Sequence, residues 1–310
     1  MRRPVKKSFL TAACGLIIFS CLSFSLLSCS KAPGAKAGGR VYRVGFMICN
    51  SRQETLQRFA PLTAYLSKKL GVKMVCVPVN TIDFQREAHT LDFMHTNSVL
   101  YIVLHQFYGA RAITADIRGP LGYESQGAIV VRKDSPIKSI KDLKGKTMVF
   151  GPALAPFGYM EEWDLMLKGG IHPDRDLAFY TIPRGTYKHE ALIYAVLFGK
   201  YDAGAFPMLD YNNMIKDGRI KPGQFRIIAE GKPEPYCTFS VSQKISQKMA
   251  GRFRSALLSI TNATTVSYDG EVVKVLKAAW VKGFHPVADK DYDGLRAMAK
   301  RTNMPPFQKY

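Results

Sequence analysis

The stretch VYRVGFMICNSRQETLQRFAPLTAYLSKKLGVKMVCVP, residues 41–78, decides the fold class. Val41–Ile48 is rich in Val and aromatic side chains and reads as a strand. Across Gln53–Leu70 the apolar residues Leu56, Phe59, Leu62, Leu66 and Leu70 recur every three or four positions, the period of one helix face. Gly71 then stands at the C′ position, where helices close. Val72–Pro78 is a second strand. Strand, helix, strand with short connections is the unit of a parallel α/β sheet.

The alternation continues downstream. Phe84–His89 reads as a short helix, Leu91–Met94 as a strand, Val99–Tyr108 as a helix and Ala112–Ile117 as a strand. The pattern restarts at Ala128–Arg132, a strand, followed by a short helix capped by Ser139 and ended at Gly145. Further strands are predicted at Thr147–Phe150, Leu177–Ile182, Asp202–Phe206, Phe225–Ala229 and Thr238–Val241, with helices at Tyr159–Lys168 and Lys188–Phe198. The C-terminal part reads as helical over Ser246–Ile260, Gly270–Lys277 and Asp291–Lys300. The expectation is an α/β chain of two lobes, with mixed, mostly parallel sheets flanked by helices. Residues 41–127 form the first lobe, 128–235 the second, and 236–310 return to the first. A cleft between them would be lined by loops at the carboxyl ends of the strands.

Ahead of this body lies an export signal. Arg2, Arg3, Lys6 and Lys7 precede an apolar run from Phe9 to Leu27, a charged region followed by a hydrophobic one. The run is just long enough to span a bilayer, so its ending decides its reading. Leu26-Leu27-Ser28-Cys29 resembles the lipobox of bacterial lipoproteins, whose cysteine is acylated after cleavage. Residues 1–28 are therefore expected to be a signal peptide and Cys29 the lipidated residue. Residues 29–40, small and rich in Gly, Pro and Ala, read as a flexible tether. Several acyl chains hold a protein on a bilayer where one does not. The plainer alternative is an ordinary signal peptide with Cys29 incidental. On the lipoprotein reading the body is exported and anchored at the cell membrane or the outer membrane, facing the periplasm.

The formal charge is +20, and loss of the leader's four basic residues leaves +16. Such a surface steers anions toward a cleft and sits well near anionic lipid. The Lys and Arg residues are scattered, without a basic helix face or aromatic interleaving, so nucleic acid is not an expected partner. Behind Cys29 stand Cys49, Cys76 and Cys237, an odd count with no CxxC and no metal-ligand spacing. There is no Walker loop, no GxGxxG and no nucleophile–base pair. Neither an enzyme nor a resident cofactor or metal is expected.

Four segments taken together resemble the phosphate, phosphite and phosphonate type of ABC-transporter solute-binding protein, which has a type II periplasmic binding fold. They are Phe59–Val72, Gly127–Lys146, His189–Ala205, and Gly283-Phe284 followed by Asp291–Arg296, spread over Val41–Arg301. The resemblance implies a small, anionic ligand held between lobes that close by hinge motion, and a membrane permease as partner. A membrane signalling protein served by the same fold is the alternative partner. The family binds anions at small hydroxyl residues after the strand matching Thr147–Phe150. Here the stretch is Ala155-Pro156-Phe157-Gly158, so the hydroxyls are missing and Pro156 removes a donor, leaving the amides of Phe157, Gly158 and Tyr159. Phe157 reads equally as a ligand contact or as a packed core residue.

His189 matches a ligand-facing position in the family, and Cys237 stands near one. The positions that receive an ammonium in aminophosphonate-binding members fall on Leu209 and near Cys237, neither acidic. Asp210 is expected to point elsewhere, which argues against an aminoalkylphosphonate. Asn50 and Ser51 after the first strand, and His95, Thr96 and Asn97 (with Ser98) after the third, offer uncharged donors to an oxyanion. Each Ser and Asn among them reads also as a helix cap. Met47, Cys49, His95 and Cys237 would suit a soft metal, but such residues usually serve packing, and no metal site is expected.

Overall fold

The computed structural model describes residues 39–182 and 189–309. The leader, Cys29 and most of the tether lie outside the described residues, as does Lys188, the first residue of one expected helix.

The first lobe is built on the opening stretch. Strand β1 (Val41–Met47) buries Val44 and Phe46 and runs parallel to β2 (Lys73–Val79), from Val41 opposite Lys73 to Met47 opposite Val79. Between them lies α1 (Arg52–Leu70). Ser51 caps it by accepting from the Glu54 amide, and Gly71 closes it in the left-handed region at φ 66°. Phe59, Leu62, Leu66 and Leu70 are buried against the sheet, while Leu56 is half-buried at the edge of the stripe.

A short helix α2 (Phe84–Glu87), flanked by 3-10 turns, leads to β3 (Phe93–Asn97). This strand lies later than the pattern predicted. β3 lies between β1 and the strand that returns from the C-terminal part; pairing with β1 ends at His95, but the returning strand pairs on through Thr96 and Asn97, so the strand runs on. The segment read as a loop is therefore strand end. Asn97 then caps α3 (Ser98–Tyr108), which leads into β4 (Arg111–Ile117).

The chain crosses through β5 (Glu124–Ser125) into the second lobe at β6 (Gly127–Arg132). There follow β7 (Thr147–Val149), α4 (Glu161–Lys168), α5 (Pro173–Asp176), β8 (Phe179–Thr181), α6 (His189–Leu197), β9 (Ala203–Pro207), α7 (Met208–Lys216) and β10 (Phe225–Glu230). The expected helix after Ser139 is a 3-10 turn over Ile140–Leu143, and α4 is preceded by a wide turn over Pro156–Met160. The chain returns through β11 (Glu234–Pro235), which pairs with β5, to β12 (Cys237–Val241). Then come α8 (Gln247–Leu258), β13 (Thr265–Tyr268), β14 (Glu271–Lys274), α9 (Val275–Ala279), β15 (Gly283–Pro286) and α10 (Asp293–Arg301).

The helix expected over Gly270–Lys277 is corrected: its first half is the strand β14, in a hairpin with β13. The turn is Asp269-Gly270 with φ of 52° and 80°, the left-handed pair that suits the twist of a two-residue hairpin.

The first sheet has the order β15-β4-β12-β3-β1-β2 and the second β10-β6-β9-β7-β8. Pairing is parallel among β1, β2 and β3 and among β7, β8 and β9, as the pattern predicts. The crossing strands β6 and β12 run antiparallel to their neighbours, so both sheets are mixed. Phe46, Phe93, Phe239 and Phe253 anchor the core of the first lobe, and Phe206, Ile193 and Met214 part of the second. Among the described residues no helix is long and apolar enough to cross a membrane.

Candidate ligand-binding site

A cavity of about 320 Å³ opens at the carboxyl ends of the strands. Ile48, Cys49 and Asn50 enter from the end of β1, Asn97 from β3, Arg118 from the residue after β4, and Arg58 from α1. The second lobe supplies Ala155, Pro156, His189, Glu190, Leu209 and Asp210, while Tyr236 and Trp280 complete the wall.

Two guanidinium groups reach this space. Arg118 Nε and Nη2 donate to Asp116 Oδ2 at 3.2 and 3.0 Å, and His95 Nε2 lies 3.0 Å from the same oxygen. Asp116 is fully buried. Burial alone would raise its carboxyl, but His95 and Arg118 hold it below the usual range. Burial likewise works against the Arg118 charge, and Cys237, Asp116 and Tyr236 together push its pKa above the ordinary value. Arg58 is buried. Its Nη2 donates to the Ala279 carbonyl at 3.2 Å, Glu54 Oε1 lies 3.8 Å from Nη1, and Nε has no partner among the described residues. Burial and the nearby Arg118 lower its pKa. Two like charges held close in a recess make a potential that an anion relieves.

The opposite wall carries the other sign. Asp210, expected to point away, lines the cavity instead. α7 begins at Met208, directly after β9, so its first turn faces the cleft. Burial raises the Asp210 carboxyl, with His189 opposing. His189 sits in the first turn of α6, where a Cβ at Gly151 or Gly158 would come within 2.7 or 2.8 Å of its Cε1; these glycines are what let the ring seat. Burial depresses its pKa, against Asp210 and Glu190, which favours the neutral imidazole. Its Nδ1 has no partner among the described residues.

The other residues singled out from sequence fall into two groups. Asn50, Asn97, Pro156 and His189 line the cavity. Two of these have their amides engaged: Asn50 Nδ2 donates to both Glu54 oxygens, and Asn97 Nδ2 to the Leu154 carbonyl at 3.0 Å. The rest are placed otherwise. Ser51 is the cap of α1. His95 is buried among Phe46, Phe59 and Phe239 and acts on the cavity through Asp116. Thr96 is buried in β3 opposite Thr238. Phe157 is buried, its ring 5.5 Å from that of Tyr236, and Tyr159 packs with Phe150 and Trp163.

The Gly158 amide, a potential anion donor, is taken by Glu162 Oε1 at 2.8 Å. The chain's own carboxylate thus fills the place a ligand oxygen would take. Cys237 is buried behind the wall, its thiol pushed up to about 12 by burial, and its sulfur clusters with His95 and Asp116 ligand atoms within 4.8 Å of one another. Arg118 already neutralises that carboxylate, so the cluster is a buried ion-pair network rather than a cation cage.

Sequence reasoning missed Arg58, Arg118, Tyr236 and Trp280. Arg118 had a signal: it directly follows a strand and precedes Gly119-Pro120, where cleft residues stand. Arg58 had none, being one of many basic residues on a helix.

Two mixed α/β lobes joined by a paired ribbon, with a recessed cavity at the strand ends, define a type II periplasmic solute-binding protein. The family model for "ABC transporter, phosphonate, periplasmic substrate-binding protein" matches residues 44–292, and the chain belongs to that family. It is 26% identical over 259 residues to the phosphate-import protein PhnD of Mycolicibacterium smegmatis, covering 77% of this chain and 78% of that one. It is also 25% identical over 252 residues to the tetrathionate sensor histidine kinase TtrS of Salmonella typhimurium, covering 75% of this chain but 41% of the kinase. Among solved structures, PhnD1 of Prochlorococcus marinus in complex with methylphosphonate superposes with a TM-score of 0.68 at 19% identity, over 85% of this chain and 98% of that one. A Xanthomonas citri protein bound to ATP gives 0.68 at 20%, over 85% and 97%. The chain is thus the extracytoplasmic, solute-capturing component of an ABC transporter, not an enzyme. Its partners are a small molecule and a permease.

Proposed function

We propose that the chain captures a small oxyanion of the phosphonate or phosphate class, its anionic group seated between Arg118 and Arg58. The observation that carries this reading is the convergence of these two guanidiniums on one recess, with Asp116 and the Ala279 carbonyl fixing them. Asp116 takes one edge of Arg118, and charge-assisted bonds to an oxyanion are the strong ones. His189 and the remaining polar atoms of the second lobe would complete the ligand's shell on closure. The phosphate-import relative and the methylphosphonate-bound neighbour agree with this class. Residues 41–127 and 236–310 form the first lobe on this reading, 128–235 the second, and Cys29 carries the lipid that keeps the receptor beside its permease. The transporter role is preferred to the sensor role because the matching family is a transporter component.

Calorimetric titration with methylphosphonate, phosphate and phosphite tests the ligand class. At least one should bind, and Arg118→Gln should weaken it by roughly 10- to 100-fold, the loss of a charge-assisted hydrogen bond. Silence toward all three, or an Arg118→Gln protein that binds as well as the parent, sinks the reading. Cys29→Ala should shift the protein from the membrane fraction to the soluble one; retention through a high-salt wash contradicts the anchor.

A further inference from the structure

Trp280 stands where a helix normally ends in glycine. It closes α9 with φ 59° and ψ 40°; its N–H donates to the Lys277 carbonyl at 3.2 Å, and the Val281 N–H to the Leu276 carbonyl at 3.1 Å. Only glycine adopts that conformation without strain, and a bulky residue there is an outlier. Such strain collects at functional sites, where the surrounding structure holds it. The indole is not hidden by way of compensation: Trp280 is 57% exposed and borders the cavity.

Its ring is also tied to the anion seat. Arg58 Cζ lies 4.4 Å from the Trp280 ring centroid and 4.7 Å from that of Phe59, and Arg58 Nη2 bonds the carbonyl of Ala279, the residue next to Trp280. Tyr236 adds a second aromatic side chain to the wall. A cavity of about 320 Å³ falls within the range that small organic ligands occupy, more than a bare tetrahedral oxyanion fills.

We propose that Trp280 is a specificity-determining residue that offers a stacking face at the cavity mouth, so that the ligand is an oxyanion bearing a flat aromatic or heteroaromatic group. The proposal rests on the oxyanion reading of the same cavity. The oxyanion meets Arg58 and Arg118, and the attached ring lies on the indole, which is itself polarised by the Arg58 cation. Stacking of this kind is tolerant of the ring's identity but demands a π face.

The test uses purified protein and two probes, phenylphosphonate and methylphosphonate, with binding measured by calorimetry for the parent, Trp280→Gly and Trp280→Phe. Glycine is compatible with the left-handed backbone, so Trp280→Gly should fold as well as the parent, which its melting temperature checks. The parent should prefer phenylphosphonate by roughly 10-fold, Trp280→Gly should lose most of that preference, and Trp280→Phe should keep most of it. Phenylphosphonate should also change the fluorescence of a Trp163→Phe protein, whose remaining tryptophan is Trp280. If methylphosphonate binds as tightly as phenylphosphonate, or the preference survives in Trp280→Gly, the proposal is overturned while the oxyanion site stands. If neither probe nor phosphate binds the parent, both fall together.

Discussion

Asp116 is the residue that organises the binding side. It is buried with no backbone donor among the described residues, and its two partners on Oδ2 are His95, from β3, and Arg118, the residue after β4. Removing one partner of a buried ion pair costs more than the pair contributes, because the other is left uncompensated. Across the cavity Asp210 opposes any anion. Burial favours its neutral form, so its repulsion grows as the pH rises and the carboxyl ionises. Asp210→Asn should therefore tighten phosphonate binding, and the gain over the parent should widen with increasing pH. The ratio of the two dissociation constants, in which the ligand's own titration cancels, measures this. A ratio that is flat or falls with pH contradicts the role given to Asp210.

Among the elements, the crossing ribbon and the turn before α4 matter most for how the lobes are joined. β5 and β11 pair across the two connections, and Glu161 at the start of α4 accepts from the Gly127 and Lys232 amides, one on each connection. Its neighbour Glu162 takes the Gly158 amide. The fit is close: a Cβ at Gly231 would overlap the Glu161 carboxylate. Gly231→Ala should thus destabilise the protein by about 1–3 kcal/mol, the usual cost of overpacking a filled site. Urea unfolding monitored by circular dichroism would show it as a lowered midpoint, and an unchanged midpoint would mean the ribbon yields freely. The sequence pattern carried no hint of this arrangement. Both acids fall early in the helix expected over Tyr159–Lys168, and only the return of residues 231–232 beside residue 127 gives Glu161 its two amide partners.

For the whole molecule, these carboxyls set a pH dependence. Burial raises Glu161 from 4.5 to about 8 against the two amide bonds it accepts, raises Glu162 in the same direction, and lifts Glu234 to about 7. A carboxyl with a raised folded-state pKa binds its proton more tightly folded than unfolded. Its contribution is full below 4.5 and is lost as the pH climbs through about 8. The melting temperature should accordingly fall between pH 5 and pH 8, and Glu161→Gln should flatten the slope; calorimetric scans across that window decide it. A melting temperature that rises over the same window would contradict the assignment. A ligand held by the folded form alone should raise the melting temperature at every pH, in step with its concentration.

The body's fold was legible from residue 41 onward because apolar spacing and turn glycines are local properties. The period of Phe59, Leu62, Leu66 and Leu70, and the Gly71 that follows, determined α1 and its strands before any contact was known. The export signal and the lipobox at Cys29 are likewise written in composition, and they remain readings of sequence. What local pattern did not carry was pairing between distant strands. The position of β12 between β3 and β4 prolonged β3 through Asn97, and it brought Tyr236 and Cys237 beside residues more than a hundred positions earlier. The binding side chains followed from that. Arg58 and Arg118 are two basic residues among 44 in the sequence; nothing nearby in the chain marks Arg58, and only its place between a strand end and Gly119-Pro120 marks Arg118. On the proposed reading they make an anion seat only because a helix face and the residue after a strand are folded onto one recess, where burial turns ordinary charges into strong ones.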